Sequence, residues 1–334
     1  MLSKKHIILF FLFVVLLISL LVSLSTGSVS IPLSEIFSGL LGGEGVSRKI
    51  IFDIRFPRTL NALIVGVSLA SSGLILQSLL RNNLAEPGLL GISSGAGLGA
   101  ILIFMLPFSL PFWLVTPVSF VFAVISTAVI FFIAKGINSK YTNFISTNKI
   151  ILAGIAINAL LASVNGFLLL VSGSGVIQIV NWLSGGFSGR GWNEFFISMP
   201  FSFIAIIVAV LLSKEMNLLS LGEEIAMSLG LNVKLIQRLS VTLASLLAAA
   251  AVSVAGIISF VGLIIPNISR LIVGSDYKYT LACSMLLGGI FVVISDILAR
   301  TLIAPSELPA GIFTSFIGAP VFIWLILKNH KENV

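Results

Sequence analysis

Apolar runs close to twenty residues long recur from one end of this chain to the other, and nothing constrains its folding more. A helix needs about 20 residues to cross the hydrocarbon of a bilayer. Ten runs fit that template, at roughly 6–25, 58–80, 90–107, 112–134, 149–170, 194–213, 240–257, 259–273, 279–298 and 310–328. The seventh and eighth share one stretch interrupted by AGIISFVGLIIPN, where Gly256, Gly262 and Pro266 mark either a turn or a broken helix packed inside protein. The expected fold is all-α: a polytopic membrane protein with one transmembrane domain over residues 1–334 and no large soluble domain. Composition agrees, since only 9% of residues are charged against about 25% in soluble chains.

The net charge of +7 does not point to nucleic acid, because the cations are scattered in short loops between oily spans. An even number of spans puts both termini on one side. With cytoplasmic termini, thirteen of the 19 Lys and Arg residues lie inside, the bias expected of membrane loops. The first run follows Lys4 and Lys5 like a secretory signal but lacks a convincing small-residue cleavage site, so it reads as an uncleaved span. Cys283 is the one cysteine and forms no intrachain disulfide; His6 and His330 lie near the ends, which disfavours a histidine metal site or a Ser/His/Asp set. There is no G-x-x-x-x-G-K-[ST], so ATP chemistry would have to come from a partner.

Polar punctuation is concentrated in a few places. RNNLAEPGLLGISSGAGLG follows the second run. Pro87 disfavours helix at Glu86, and Gly88 and Gly91 leave the backbone adaptable. Polar backbone near membrane depth must be satisfied by protein or water. The corner is either a plain loop or a hinge lining a path. Gly95 and Gly99 offer a small face for close helix contact. Outside, residues 26–57 include IPLSEIFSGL, a candidate surface helix, and residues 171–193 carry Trp182 and Trp192 at an interface. Inside, residues 214–239 contain LGEEIAMSLGL. There Leu221, Ile225 and Leu229 form an oily row beside the small row Gly222, Ala226 and Gly230. Such a helix rests on its own bundle or seats in a partner's groove, and Glu223 and Glu224 favour its first turn. Arg55, Arg58 and Arg300 lie on the outer side, where cations are disfavoured; interfacial anchoring is the simplest use for them. Asp296 and Arg300 are four apart and suit pairing within one helix. Arg270 and Asp276 suit a surface pair, and Glu307 receives no role.

Five segments together resemble one known family. They are RFPRTLNALIVGVSLASSGLILQSLLRNNLAEPGLLGISSGAG, WLSGGFSGRGW, GEEIAMSLGLNV, GIISFVGLIIPNISRLIVGSD and SDILARTLIAPSELPAGIFTSFIGAPVFIWLILK. They cover nearly the whole chain in family order. The family is the FecCD-type permease of ABC importers for iron–siderophore, haem and cobalamin. This chain departs from it at Asn83, where Pro is frequent, and at Asn267, where His is frequent.

The resemblance implies ten spans per subunit, a second permease subunit, of the same or a related chain, and a translocation path at their interface. It implies a cytoplasmic ABC ATPase dimer and an extracellular or periplasmic substrate-binding protein. ATP and Mg would sit on the ATPase, with no cofactor on this chain and a ferric siderophore in transit through a bacterial cell membrane. By the same resemblance, Gly222, Glu223, Ala226, Leu229 and Gly230 serve coupling to the ATPase, and Arg55, Arg58 and Arg300 dock the binding protein. Asn82, Asn83, Pro87, Gly88, Gly91, Pro266 and Asn267 lie at a hinge or beside the path. An ion-coupled secondary transporter and a structural scaffold are the competing classes, separable by whether flux needs an ATPase.

Overall fold

A computed structural model describes residues 4–27, 32, 46–107, 110–136 and 147–332. Ten long helices form the body: α1 (Lys4–Ser25), α2 (Phe56–Leu80), α3 (Ile92–Phe104), α4 (Val115–Gly136), α5 (Thr147–Val171), α6 (Trp192–Leu211), α7 (Val233–Ala255), α8 (Val261–Val273), α9 (Tyr277–Thr301) and α10 (Ala310–Glu332). Among the described residues there are no strands. Seven helical stretches are long and apolar enough to cross a membrane, and Ile92–Phe104, Val261–Val273 and Ala310–Leu325 are shorter apolar helices. Those ten coincide with the ten runs in the sequence. IPLSEIFSGL falls outside the described residues apart from Pro32.

Boundaries differ where hydropathy and helicity part company. The second helix is entered without a break from a π-helical turn at Ile50–Arg55. α7 begins at Val233, not near residue 240. VKLIQRL is too polar to count as membrane-embedded, yet it continues the helix, with Asn232 capping it by accepting from the Leu235 amide at 3.2 Å.

α2 and α7 form the centre: 78% of the most apolar window of each is buried, against 6% for α5. Lipid tails offer no hydrophobic drive for helix association, so close backbone approach supplies the contacts. At Gly66 and Gly73 of α2 a Cβ would strike the backbone of Gly288 in α9 and of Gly262 in α8. α3 packs on α4 through Gly95 and Gly99, where an added Cβ would meet Ser126 and Ser119 at 2.6 and 3.0 Å.

The interruption between α7 and α8 is a broken helix. Gly256 and Phe260 both have φ of 70°. Ala255 O accepts from the Gly186 amide at 2.7 Å, and Gly185 O accepts from the Gly311 amide at 3.0 Å. A loop and the start of α10 thus brace the non-helical backbone, as burial in a membrane protein demands. Pro266 lies inside α8 and has no N–H for the Gly262 carbonyl one turn back. Gln77 Nε2 donates to that carbonyl instead, at 3.3 Å.

Candidate functional site

At one end of the bundle, two short helices, Ser213–Ser220 and Glu223–Ser228, join α6 to α7. Gly222 has φ of 118° and Gly230 of 84°, conformations that glycine adopts without a Cβ penalty. The second helix closes with the Leu231 amide donating to Ala226 O at 3.0 Å and the Gly230 amide to Met227 O at 2.9 Å, a Schellman ending. Glu223 accepts from Gln237 Nε2 at 3.0 Å, which ties the helix to α7. Ala226 is fully buried, while Leu221, Ile225 and Leu229 are 56%, 51% and 58% exposed. Gly222 and Ala226 therefore face the chain itself, Gly230 is exposed, and the oily row faces away. Exposed apolar side chains in a contiguous patch outside the spans mark an interaction surface. Asn217 anchors the first helix to α9: its Oδ1 accepts from the Tyr277 amide at 2.9 Å.

The adjoining corner is a hydrogen-bonded knot. Asn82 Oδ1 accepts from the Leu84 amide at 2.9 Å. Asn83 O accepts from Asn267 Nδ2 at 2.9 Å, so both positions that depart from the family pattern meet each other. Arg270 Nη1 donates to Gln77 Oε1 at 2.6 Å and to Asn267 Oδ1 at 3.2 Å. Pro87 is buried against Gly262, and Gly91 has φ of 70° with its carbonyl accepting from Ser126 Oγ at 2.6 Å. Gly88 O accepts from Asn158 Nδ2 of α5 at 2.9 Å. Burial pushes the Glu86 carboxyl above its usual range. A Cβ at Gly222 would lie 3.5 Å from Arg81 Nη1, so knot and hairpin are neighbours.

At the opposite end of the bundle the arginines turn into the protein. Arg58 donates through Nε and Nη2 to Asp296, at 3.1 and 2.8 Å, and through Nη1 to Glu307 at 2.9 Å. Arg300 Nη2 donates to Ser23 O at 2.7 Å, and Arg55 Nη1 to Leu24 O at 2.8 Å. Two cations thereby close the C-terminal end of α1, where free carbonyls and the helix dipole favour them. Burial opposes charge on Glu307, yet the Arg58 hydrogen bonds hold its carboxyl below the usual range.

Between these ends the broken helix borders an open cavity of about 680 Å³, whose walls include Ser184, Ile257, Ser259, Ser315, Phe316 and Pro320. The wall is mainly apolar, with three serine hydroxyls and one exposed aromatic, and carries neither net charge nor a ligand cluster. No group of three or more metal-ligating side chains occurs among the described residues.

A family model, the FecCD transport family, matches residues 15–328. The chain belongs to the FecCD transport family. It is an ABC transporter permease, a transport component, and a multi-pass membrane protein. It is 36% identical to the ABC transporter permease YvrB of Bacillus subtilis, over 95% of this chain and 92% of that one. To the hemin transport permease HmuU of Yersinia pestis it is 37% identical, over 99% and 98%. A solved inward-facing structure of a metal-chelate type ABC transporter superposes with a TM-score of 0.83 at 31% identity, covering 96% of this chain and 99% of that one.

Several expectations for this FecCD permease change. Gly222, Ala226 and Gly230 do not present a smooth docking face: the glycines make the turns and Ala226 is the inward contact. Arg55, Arg58 and Arg300 are buried and each bonds within the chain, so they do not stand out as surface side chains. The i,i+4 pair of Asp296 and Arg300 is present, with Nε 3.7 Å from Oδ2, and Arg58 joins it as a second and closer partner of Asp296 at 2.8 Å. Arg270 bonds Gln77 and not Asp276, which instead caps α9 by accepting from the Lys278 amide at 3.1 Å. Gln77 and Asn217 were passed over in the sequence. A lone glutamine in an apolar span is a signal for the first; nothing singles out the second.

Proposed function

We propose that this permease is the membrane subunit of an importer for a ferric siderophore. It would act with a second permease of the same or a related chain, a cytoplasmic ATPase dimer carrying ATP and Mg, and an external binding protein. The observation that carries this reading is the hairpin at Leu221–Leu229, whose oily row lies bare on a helix outside the spans. ATP-driven movement of a partner seated there would be passed to the bundle. Relatives at 35–37% identity carry names for hemin, siderophore and vitamin B12 transport, so the shared cargo chemistry is a bulky metal chelate, and ferric siderophore is the one proposed here. A wide, mainly apolar wall with three serine hydroxyls and no charge suits weak contact with such a cargo in passing. The bare flank of α5 and the exposed Phe316 support pairing with a second permease. The positive-inside bias supports cytoplasmic termini, and relatives from Bacillus subtilis and Yersinia pestis support a bacterial cell membrane.

The test is uptake into proteoliposomes. With ATPase and binding protein present, labelled ferric siderophore enters only when ATP is supplied, and hemin and cobalamin do not. Flux driven by an ion gradient without the ATPase would overturn the importer reading, and uptake of hemin or cobalamin alone would overturn the cargo.

A further inference from the structure

On the flank of the bundle, α4 and α7 leave between them a groove of about 460 Å³, within the size range of small-ligand sites. Val124, Ala128 and Phe132 of α4 and Val241 and Leu246 of α7 form its sides, and Arg238 stands at its inner mouth. Residues 124–132 and 238–246 each cover about 12 Å of helix. Phe132 is 80% exposed, so the groove opens sideways from two helices that cross the membrane. Arg238 is itself exposed. Among the described residues it has no carboxylate within ion-pair distance and no hydrogen-bond partner.

An apolar groove on a membrane span is bathed in acyl chains whatever its shape. The unpaired guanidinium at one end adds the chemical preference. Its planar fork matches a phosphate, its stem is long enough to reach headgroup depth, and it shares that end of the bundle with Lys4, Lys5, Lys214 and Lys278. Basic pockets between spans on the cytoplasmic side suit anionic headgroups. We propose that this groove is a binding site for an anionic phospholipid, with one acyl chain along Val124–Phe132 and the headgroup phosphate on Arg238.

The probe is dioleoyl phosphatidylglycerol against dioleoyl phosphatidylcholine, each added to the purified, delipidated full chain and counted by native mass spectrometry. The wild type is expected to retain about fivefold more phosphatidylglycerol, the factor one arginine supplies near a membrane surface. Arg238→Gln brings the two lipids level. Ala128→Phe, which fills the groove from an exposed wall, lowers retention of both. Phosphatidylglycerol raises the melting temperature of the wild type and not of Arg238→Gln, a readout that separates lost binding from lost folding. Millimolar inorganic phosphate does not displace the lipid. Equal retention of both lipids by the wild type overturns the proposal. So does unchanged phosphatidylglycerol preference in Arg238→Gln, unchanged retention in Ala128→Phe, displacement by phosphate, or loss of a co-purifying protein with no change in lipid.

Discussion

Arg58 meets two carboxylates at once, and they differ in how much water they see: the Asp296 side chain is 1% exposed and that of Glu307 36%. Removing the charge of the hidden partner leaves buried Arg58 with only the half-exposed Glu307, so Asp296→Asn is expected to cost up to about 3–5 kcal/mol, read as a fall in melting temperature in detergent. Glu307→Gln removes a screened pair and costs about 0–1 kcal/mol. Its folded-state carboxyl titrates below the ordinary value, so its contribution is complete above the unfolded pKa of about 4.3. The contribution is lost as pH falls through the depressed value. Wild type and Glu307→Gln should therefore converge in melting temperature in acid. Sequence spacing exposed the Asp296–Arg300 pair, because four residues on a helix are neighbours. It could not expose Arg58, which lies 238 positions from Asp296 and reaches it only because α2 packs on α9. Gln77 is hidden for the same reason: its partners come from the loop after α2 and from α8.

At the level of elements, the hairpin separates two roles that a helical wheel alone leaves mixed. Ile225→Glu with Leu229→Glu should lower ATPase co-purification at least tenfold while leaving the melting temperature unchanged. Ala226→Trp should instead lower the melting temperature, since overpacking a closed site costs about 1–3 kcal/mol. Comparable association in the double variant and wild type would remove the oily row from the coupling role. Both rows were legible as rows; which one faced outward was not, because that depends on Gln237 of α7 and the corner at Arg81. Helix crossings behave similarly. Glycines at 66, 73, 262 and 288 were visible in the sequence, but their pairing across α2, α8 and α9 is tertiary. Gly73→Leu drives a side chain into the Gly262 backbone and is expected to abolish recovery of folded protein, measured by size-exclusion chromatography in detergent.

Across the whole molecule, apolar run length was enough to read the seven long spans, because that one requirement comes from the bilayer and not from partners; the three shorter apolar helices fall below it and were placed with the family resemblance. The break after α7 was legible as a break from Gly256 and Pro266, but its bracing by residues 185–186 and 311 was not. The proposed topology predicts that a cysteine at the exposed Ser228, in a Cys283→Ser background, reacts with a membrane-impermeant maleimide only from the cytoplasmic side. Labelling from outside would invert the orientation. α7 has 23 residues, about 35 Å at 1.5 Å each, with no joint between the Asn232 cap and Gly256. One end is the base of the hairpin between α6 and α7 and the other delivers Ile257 and Ser259 to the open cavity. Such a member works as a connecting rod: a tilt imposed at its foot arrives undiminished at its head. The five non-helical residues before α8 are braced by the loop at 185–186 and the start of α10, so that loop and helix would move with the head.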